Sequence, residues 1–316
     1  MILVNGTPVF PENATVRALD AGFLYGETVF TTVGIVNRTP VFLDRHIERL
    51  ARMAEALGIA SCPGPETLRL GVKRMIDIHD PVPRLLRITV TPGPLSAATI
   101  DRTPEAPGSW YVFPVFRSDP DPAVYETGVD VDLGPPLALP ALDPRSHLKT
   151  GNLLLSRWLR SRKRPSSVDI LLSGRAGRLL EGTVSNVFFV ENSGTIMTPP
   201  ESWGVLPGIV RSVVLEILGQ DKTAFRFDSP TRKALSDVRE IFLTNSYLGV
   251  MPVSRLLNSV DGRKRESIAW TASVQPEVSR LLRKELAGRI RKEIEAWQEI
   301  LPVPNPARLQ ERKSPD

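Results

Sequence analysis

Very little in this chain is of the kind that staples a secreted protein, spans a bilayer or holds a metal. Of 316 residues a single one is cysteine, Cys62. No disulfide can close within the chain, which agrees with a reducing compartment. Cys62 lies in the loop-like stretch Ala60-Ser61-Cys62-Pro63-Gly64 and reads as a spectator thiol. Histidine is nearly as scarce. His46, His79 and His147 stand far apart without metal-ligand spacing, so no metal is expected. No apolar run approaches the ~20 residues of a membrane helix. The opening MILVNGTPVF lacks a basic segment followed by an apolar core and does not read as a signal peptide. Neither charge dominates: 40 basic and 35 acidic residues give +5, with the signs interleaved. The basic run 157–164 has no interleaved aromatic beyond Trp158 and falls at a helix end, where cations suit the dipole. These gaps predict a cytoplasmic protein without nucleic-acid or membrane partners. The modest positive surplus fits an anionic small substrate or a phosphate cofactor.

What is present suits a soluble chain of two domains. Hydrophobic residues make up 41% and charged residues 24%, enough to bury a sizeable core. Residues 1–4 and 7–10 flank Asn5-Gly6 and predict a β-hairpin. Residues 43–57 predict a helix with Asp44 as its cap, Gly58 as its end and Ile47, Leu50, Ala54 and Leu57 as its apolar stripe. Arg45, Arg49 and Arg52 lie off that stripe, by default on a solvated face. Residues 85–91 alternate as a strand, with Arg87, Thr89 and Thr91 on one side. That side lines either a polar pocket or an exposed surface. Residues 110–116 predict another strand. The run Ser118-Asp119-Pro120-Asp121-Pro122 blocks both helix and ladder and reads as a linker. The expected organisation is an α+β domain over 1–118, a linker over 119–123, a second domain over 124–290, and a helix end with a disordered tail over 291–316, dispensable from about residue 301. Strands are expected near 129–133, 169–172, 187–190, 195–198 and 240–244. Helices are expected near 152–159, 209–218 and 275–297. The fold class is therefore α+β, with curved mixed sheets flanked by helices.

Six segments carry chemistry as a set: DAGFLYGETVFTT (20–32), LDRHIERL (43–50), HLKTGN (147–152), LEGTVSNVF (180–188), GVLPGIVR (204–211) and LTNSYLGVMPV (243–253). Taken alone, Lys149 is one basic residue among many, and such a lysine is usually a surface charge. In this order and spacing the six segments resemble the class IV aminotransferase family, the fold-type IV pyridoxal-phosphate enzymes. The resemblance covers roughly residues 1 to 290. It implies pyridoxal 5'-phosphate as cofactor, a small amino substrate and a homodimer. It makes Lys149 the lysine that holds the cofactor covalently and then moves protons. It makes Glu181 the carboxylate at the pyridine nitrogen. Arg49 becomes the phosphate-binding arginine, whose guanidinium fork suits a dianion. The backbone of Ile209 and Val210, opening a helix after a Pro-Gly turn, would cradle the same phosphate. Many relatives carry threonine where this chain has Val210, so one hydroxyl contact is lost. Asn245 and Ser246 match the other phosphate-side loop, and Tyr25 matches a pocket aromatic.

Within the family, three features resemble 4-amino-4-deoxychorismate lyases, enzymes of the folate pathway. They are Thr31-Thr32 after Val29-Phe30, the run Gly249-Val250-Met251-Pro252-Val253, and the opening Gly22-Phe23-Leu24-Tyr25-Gly26 combined with a long charged C-terminal helix. The stretch after Thr91-Pro92-Gly93 lacks the arginine-containing loop that some lyases use for a substrate carboxylate. Arg87 is the substitute candidate for substrate binding. The alternative is a branched-chain or D-amino acid aminotransferase that uses 2-oxoglutarate. A cofactor-free binding module would need neither Lys149 nor Glu181.

Overall fold

The computed structural model describes residues 1–60, 62–102, 107–136, 148–258 and 267–300. His147 and the expected tail from residue 301 lie outside them. The first sheet is antiparallel and is built from β1 (Ile2–Val4), β2 (Thr7–Val9), β3 (Val29–Val36), β4 (Thr39–Pro40), β5 (Leu85–Thr91) and β6 (Ser109–Val115), in the order β2-β1-β6-β5-β3-β4. The expected hairpin is there. Asn5 and Gly6 both take positive φ, 48° and 84°, the geometry that matches a tight turn to the twist of its strands.

A short helix α1 (Ala21–Tyr25) precedes β3, and two longer ones, α2 (Leu43–Ala56) and α3 (Pro65–Asp77), cover one face of the sheet. From α2, Ile47, Leu50, Met53 and Ala54 are buried with Leu68, Val72 and Met75 of α3 against Val33, Leu86, Ile88 and Val112. The 3.6-residue spacing of those side chains makes one apolar face, and covering it stabilises the helix far more than propensity does. Gly58 ends the helix region as expected, at φ 66°. The expected cap does not. Asp44 lies inside the first turn and pairs with Arg69 at 2.8 Å. The N-cap is Phe42, in the left-handed region at φ 54°, and its amide donates to Glu293 Oε2 at 3.2 Å. A contact 251 residues away thus takes the place of a local cap.

The chain then changes sheets. After α4 (Val124–Thr127) come β7 (Val129–Pro136), α5 (Leu154–Arg160), β8 (Ser167–Ser173), β9 (Leu179–Gly182), β10 (Asn186–Glu191) and β11 (Ile196–Thr198). They are followed by α6 (Ile209–Gln220), β12 (Phe225–Phe227), β13 (Val238–Asn245), β14 (Gly249–Asn258), β15 (Ile268–Thr271) and α7 (Glu277–Ile300). The sheet runs β12-β11-β10-β13-β14-β7-β8-β9, and β9 pairs back onto β10. Six strands thereby close on themselves as a barrel, with Asn186 opposite Glu181 at the seam. Strands β7 and β8, and β14 and β7, run parallel; most of the other pairs are antiparallel. Alternation sorts side chains between two cores. Val187, Phe189, Ile241 and Leu243 fill the barrel with Met251 and Leu256. Phe188, Val190, Phe242 and Val250 point outward under α6 and α7. There the Phe188 and Phe242 rings stack at 4.9 Å. The sequence reading expected curved mixed sheets; closure goes one step further. Among the described residues no helix is long and apolar enough to cross a membrane.

Candidate active site

Lys149 enters the site from the first sheet. Its carbonyl accepts the Phe30 amide at 2.9 Å, Gly151 donates to the Thr28 carbonyl at 3.2 Å, and Thr150 bridges Val29. The segment is thus tied to the start of β3, directly before α5. The ammonium lies 4.9 Å from the Phe30 ring centroid, and the Arg87 guanidinium stacks on the same ring at 3.6 Å. Desolvation is the largest influence on Lys149, followed by the charge of Arg49; Glu181 opposes them. The outcome is a fall from 10.5 to about 8. A lysine so tuned is a neutral nucleophile for part of its time at neutral pH, whereas an exposed lysine hardly ever is.

Glu181 enters from the barrel. Its position at the seam sets it beside Asn186, whose Nδ2 donates to Oε2 at 3.2 Å, and the Leu206 amide donates to the same oxygen at 3.0 Å. Burial raises its pKa from 4.5 to about 7, against the pull of the Leu206 hydrogen bond and the Lys149 charge. A carboxyl balanced near neutrality ionises readily once a cation is set against it. Asn186 also donates to the Leu206 carbonyl at 2.9 Å, so one amide side chain fixes both the carboxylate and the loop before α6. That loop passes so close that a Cβ on Gly208 would stand 1.9 Å from Asn186 Oδ1. Only glycine fits there. Asp169 accepts hydrogen bonds from Ser185 Oγ at 2.7 Å and from the amides of Thr183 and Val184, which locks the turn after Glu181.

Arg49 completes the set from α2. It is only 5% exposed, so the default solvated face is wrong for this arginine. Nη1 donates to the Pro207 carbonyl at 2.9 Å and Nη2 to Thr31 Oγ1 at 3.0 Å. Nε is buried without a partner. Among the described residues no carboxylate pairs with it, and desolvation followed by repulsion from Arg52 lowers its pKa to about 10. A buried cation without a counter-ion is costly, and it makes a strong point of attachment for an anion.

Other expected residues divide. The side chains of Ile209 and Val210 are buried in the outer core, so the amides of the first turn of α6 are what they offer, with Gly208 as N-cap. Asn245 spends its side chain on the turn between β13 and β14, where Oδ1 accepts the amides of Tyr247 and Leu248 at 2.9 and 2.7 Å. Ser246 is in reach of His46, with Oγ 3.4 Å from Nε2. Both residues, with His46 and Val210, line a cavity of about 170 Å³ that continues toward α7 and does not include Lys149 or Glu181. Tyr25 is 54% exposed at the end of α1. It is kept near the lysine segment because the next residue, Gly26, packs against Asn152. Arg87 is half-buried on the polar side of β5, where Nε donates to Thr89 Oγ1 at 3.1 Å, and desolvation lowers its pKa. Thr89 and Thr91 are buried beside it, so that side is not an exposed surface. Phe30, Thr31, His46 and Asn186 were absent from the expected site set, although all four fall inside the motif segments. Asp169 was missed outright, since a carboxylate inside an apolar run gives no period of its own.

A model of the amino-transferase class IV family matches residues 28–256. The chain belongs to that family. Class IV aminotransferases are pyridoxal-phosphate enzymes, and this chain is an enzyme of that kind. It is 27% identical over 298 residues to the D-alanine aminotransferase of Bacillus licheniformis, an alignment covering 92% of this chain and 99% of the relative. It is 26% identical over 268 residues to the aminodeoxychorismate lyase of Bacillus subtilis, covering 81% and 86%. Among solved structures, a hypothetical aminotransferase from Mycobacterium tuberculosis in its PLP-bound form superposes with a TM-score of 0.70 at 18% identity, covering 92% of this chain and 98% of the other.

The residues present fit the class IV cofactor. The orphaned Nε of Arg49 and the free amides opening α6 suit a phosphate. The buried carboxylate of Glu181 suits a protonated ring nitrogen, and the depressed Lys149 suits an aldehyde. One consequence is measurable. Below about pH 8 Lys149 is mostly ammonium, so capture of pyridoxal phosphate by the apoprotein should quicken with pH and level off above that value. Stopped-flow absorbance would show it. A rate independent of pH through neutrality would mean that another group limits capture.

Proposed function

We propose that this class IV enzyme is a lyase that converts 4-amino-4-deoxychorismate to 4-aminobenzoate and pyruvate in the cytoplasm. The observation that carries the reading is the polar, cationic wall beside Lys149. Arg87 lies on Phe30 at 3.6 Å and holds Thr89, and Thr32 is its cross-strand neighbour. Such a wall favours a substrate rich in carboxylates over a small aliphatic side chain. Thr31, the other half of the lyase-like pair, turns away to Arg49. Val250 and Met251 are core residues and mark a packing difference only.

In this reading Arg49, the amides of Ile209 and Val210, and the turn at Asn245-Ser246 hold the cofactor phosphate, and Glu181 holds its ring nitrogen. When bound, the cofactor supplies an electron sink next to the substrate amine. Lys149, set free as a neutral amine, takes the proton from the amine-bearing ring carbon. Arg87 pairs with a substrate carboxylate and fixes the ring so that this carbon faces Lys149. Loss of the enolpyruvyl group from the neighbouring carbon makes the ring aromatic. Lys149 keeps the abstracted proton within reach of the departing group. Substrate and the two products balance without a second substrate.

The similarity to D-alanine aminotransferase along almost the whole chain favours a second reading, amino-group transfer. The two part at the acceptor. Incubated with 4-amino-4-deoxychorismate alone, the enzyme should release pyruvate at full rate, unchanged by 2-oxoglutarate. Turnover of leucine, isoleucine or D-alanine that needs a keto acid, with no pyruvate from aminodeoxychorismate, would replace the lyase by an aminotransferase.

The reading includes a homodimer. Phe23 on α1 and Leu154 and Trp158 on α5 are 68%, 83% and 47% exposed near the lysine segment, where a second copy would cover them. Light scattering should give twice the chain mass; full activity at the mass of one chain would contradict it.

A further inference from the structure

His46 is 1% exposed, and nothing described so far uses it. It lies on α2 one turn before Arg49 and bridges the two sheets. Nδ1 is 2.6 Å from Thr31 Oγ1 on β3, and Nε2 is 3.4 Å from Ser246 Oγ after β13. Thr31 is fully buried, and its oxygen also takes the 3.0 Å hydrogen bond from Arg49.

These contacts fix the direction of the protons. Arginine only donates, so Thr31 Oγ1 accepts from Arg49. Among the described residues the hydroxyl's own proton has one acceptor within reach, His46 Nδ1. If His46 donated instead, that buried proton would be left without a partner, which is costly. Nδ1 therefore accepts, and a neutral ring carries its proton on Nε2. Burial and the charges of Arg49 and Lys149 hold the imidazole well below its ordinary pKa, in keeping with a neutral ring. Nε2–H then donates to Ser246 Oγ, and the serine's own proton points away from His46. The serine backbone is clamped as well: a Cβ on Gly34 would stand 2.6 Å from the Ser246 carbonyl oxygen, so β3 presses on the turn from the other side.

We propose that His46 is a positioning residue that sets Ser246 as a hydrogen-bond donor to the cofactor phosphate. This rests on the reading that the cup around Arg49 and Ser246 takes that phosphate. Arg49 acts on the anion by charge; His46 acts at one remove, by dictating which way a hydroxyl faces.

The test compares binding of pyridoxal phosphate and of pyridoxal, which lacks the phosphate, to apoprotein by equilibrium dialysis. His46→Asn keeps an acceptor for Thr31 and removes the donor to Ser246. It should weaken pyridoxal phosphate about tenfold and change pyridoxal by less than about twofold. Adding His46→Asn to Ser246→Ala should cost nothing more, because both break one link. His46→Gln, which keeps a donor near the Nε2 position, should retain most of the preference for the phosphate form. If His46→Asn impairs folding, seen as a lower apoprotein Tm, the glutamine variant decides. Equal loss for both ligands, multiplying losses in the double variant, or a glutamine variant without phosphate preference would each overturn the role of His46. If the unaltered protein bound both ligands equally, the phosphate cup itself would be wrong, a different failure.

Discussion

Lys149→Ala should abolish the visible absorbance of the cofactor-bound protein and lower turnover by on the order of 10⁴-fold. In the proposed mechanism the substitution removes both the nucleophile that captures the cofactor and the base that moves the substrate proton. The fold should tolerate it. Lys149 is tied down by its backbone, through Phe30 and the neighbouring Thr150 and Gly151. Its ammonium is pushed toward neutrality by burial first and then by the charges of Arg49 and Arg87, against Glu181. Removing a disfavoured cation beside two others relieves repulsion, so apoprotein Tm should hold or rise slightly. Borohydride reduction followed by peptide mapping is the direct check. A reduced cofactor adduct on a different lysine in the variant would show that Lys149 is not the attachment point.

Glu181→Gln should leave cofactor bound and slow turnover by roughly 10²-fold or more. Glutamine keeps an oxygen able to accept from Asn186 and Leu206 but cannot carry the charge that keeps a ring nitrogen protonated. Glu181→Ala adds a structural cost. It leaves Asn186 Nδ2 with only the Leu206 carbonyl and the Leu206 amide with no acceptor, a penalty of about 1–3 kcal/mol for the buried donor. The pair therefore separates chemistry from stability: both variants lose rate, and only alanine loses Tm. A glutamine variant with full activity would remove Glu181 from the chemistry.

The sequence was most readable where function and local pattern coincide. Arg49, Lys149 and Glu181 each fall in a segment whose order alone suggested them, and the structure brings the three into one electrostatic neighbourhood. The helix at 43–57 and the Asn5-Gly6 hairpin followed from periodicity and turn chemistry. The barrel did not. Its closure rests on the pairing of Glu181 with Asn186, which no local pattern marks. β14 was also hidden, because Pro252 inside the run argues against a strand, yet it pairs with Phe242. His46 was weighed only as a metal ligand, a role that its lone position excluded. Its two hydrogen-bond partners stand 15 and 200 residues away, and no spacing rule reaches the second.

The cap on α2 has a consequence for how the enzyme is made. A chain leaves the ribosome from its N-terminus, and the first sheet with its helices can fold while the barrel is still unsynthesised. The Phe42 amide then faces water until Glu293 of α7 emerges. That helix is itself held at its start by Glu240 of β13, which accepts the amides of Val278 and Ser279 at 3.0 and 2.7 Å. The helix bearing His46 and Arg49 is therefore tied off only after α7 is made, once the strand that leads into Asn245 and Ser246 is in place. A nascent chain that lacks α7 therefore carries α2 without its distant cap.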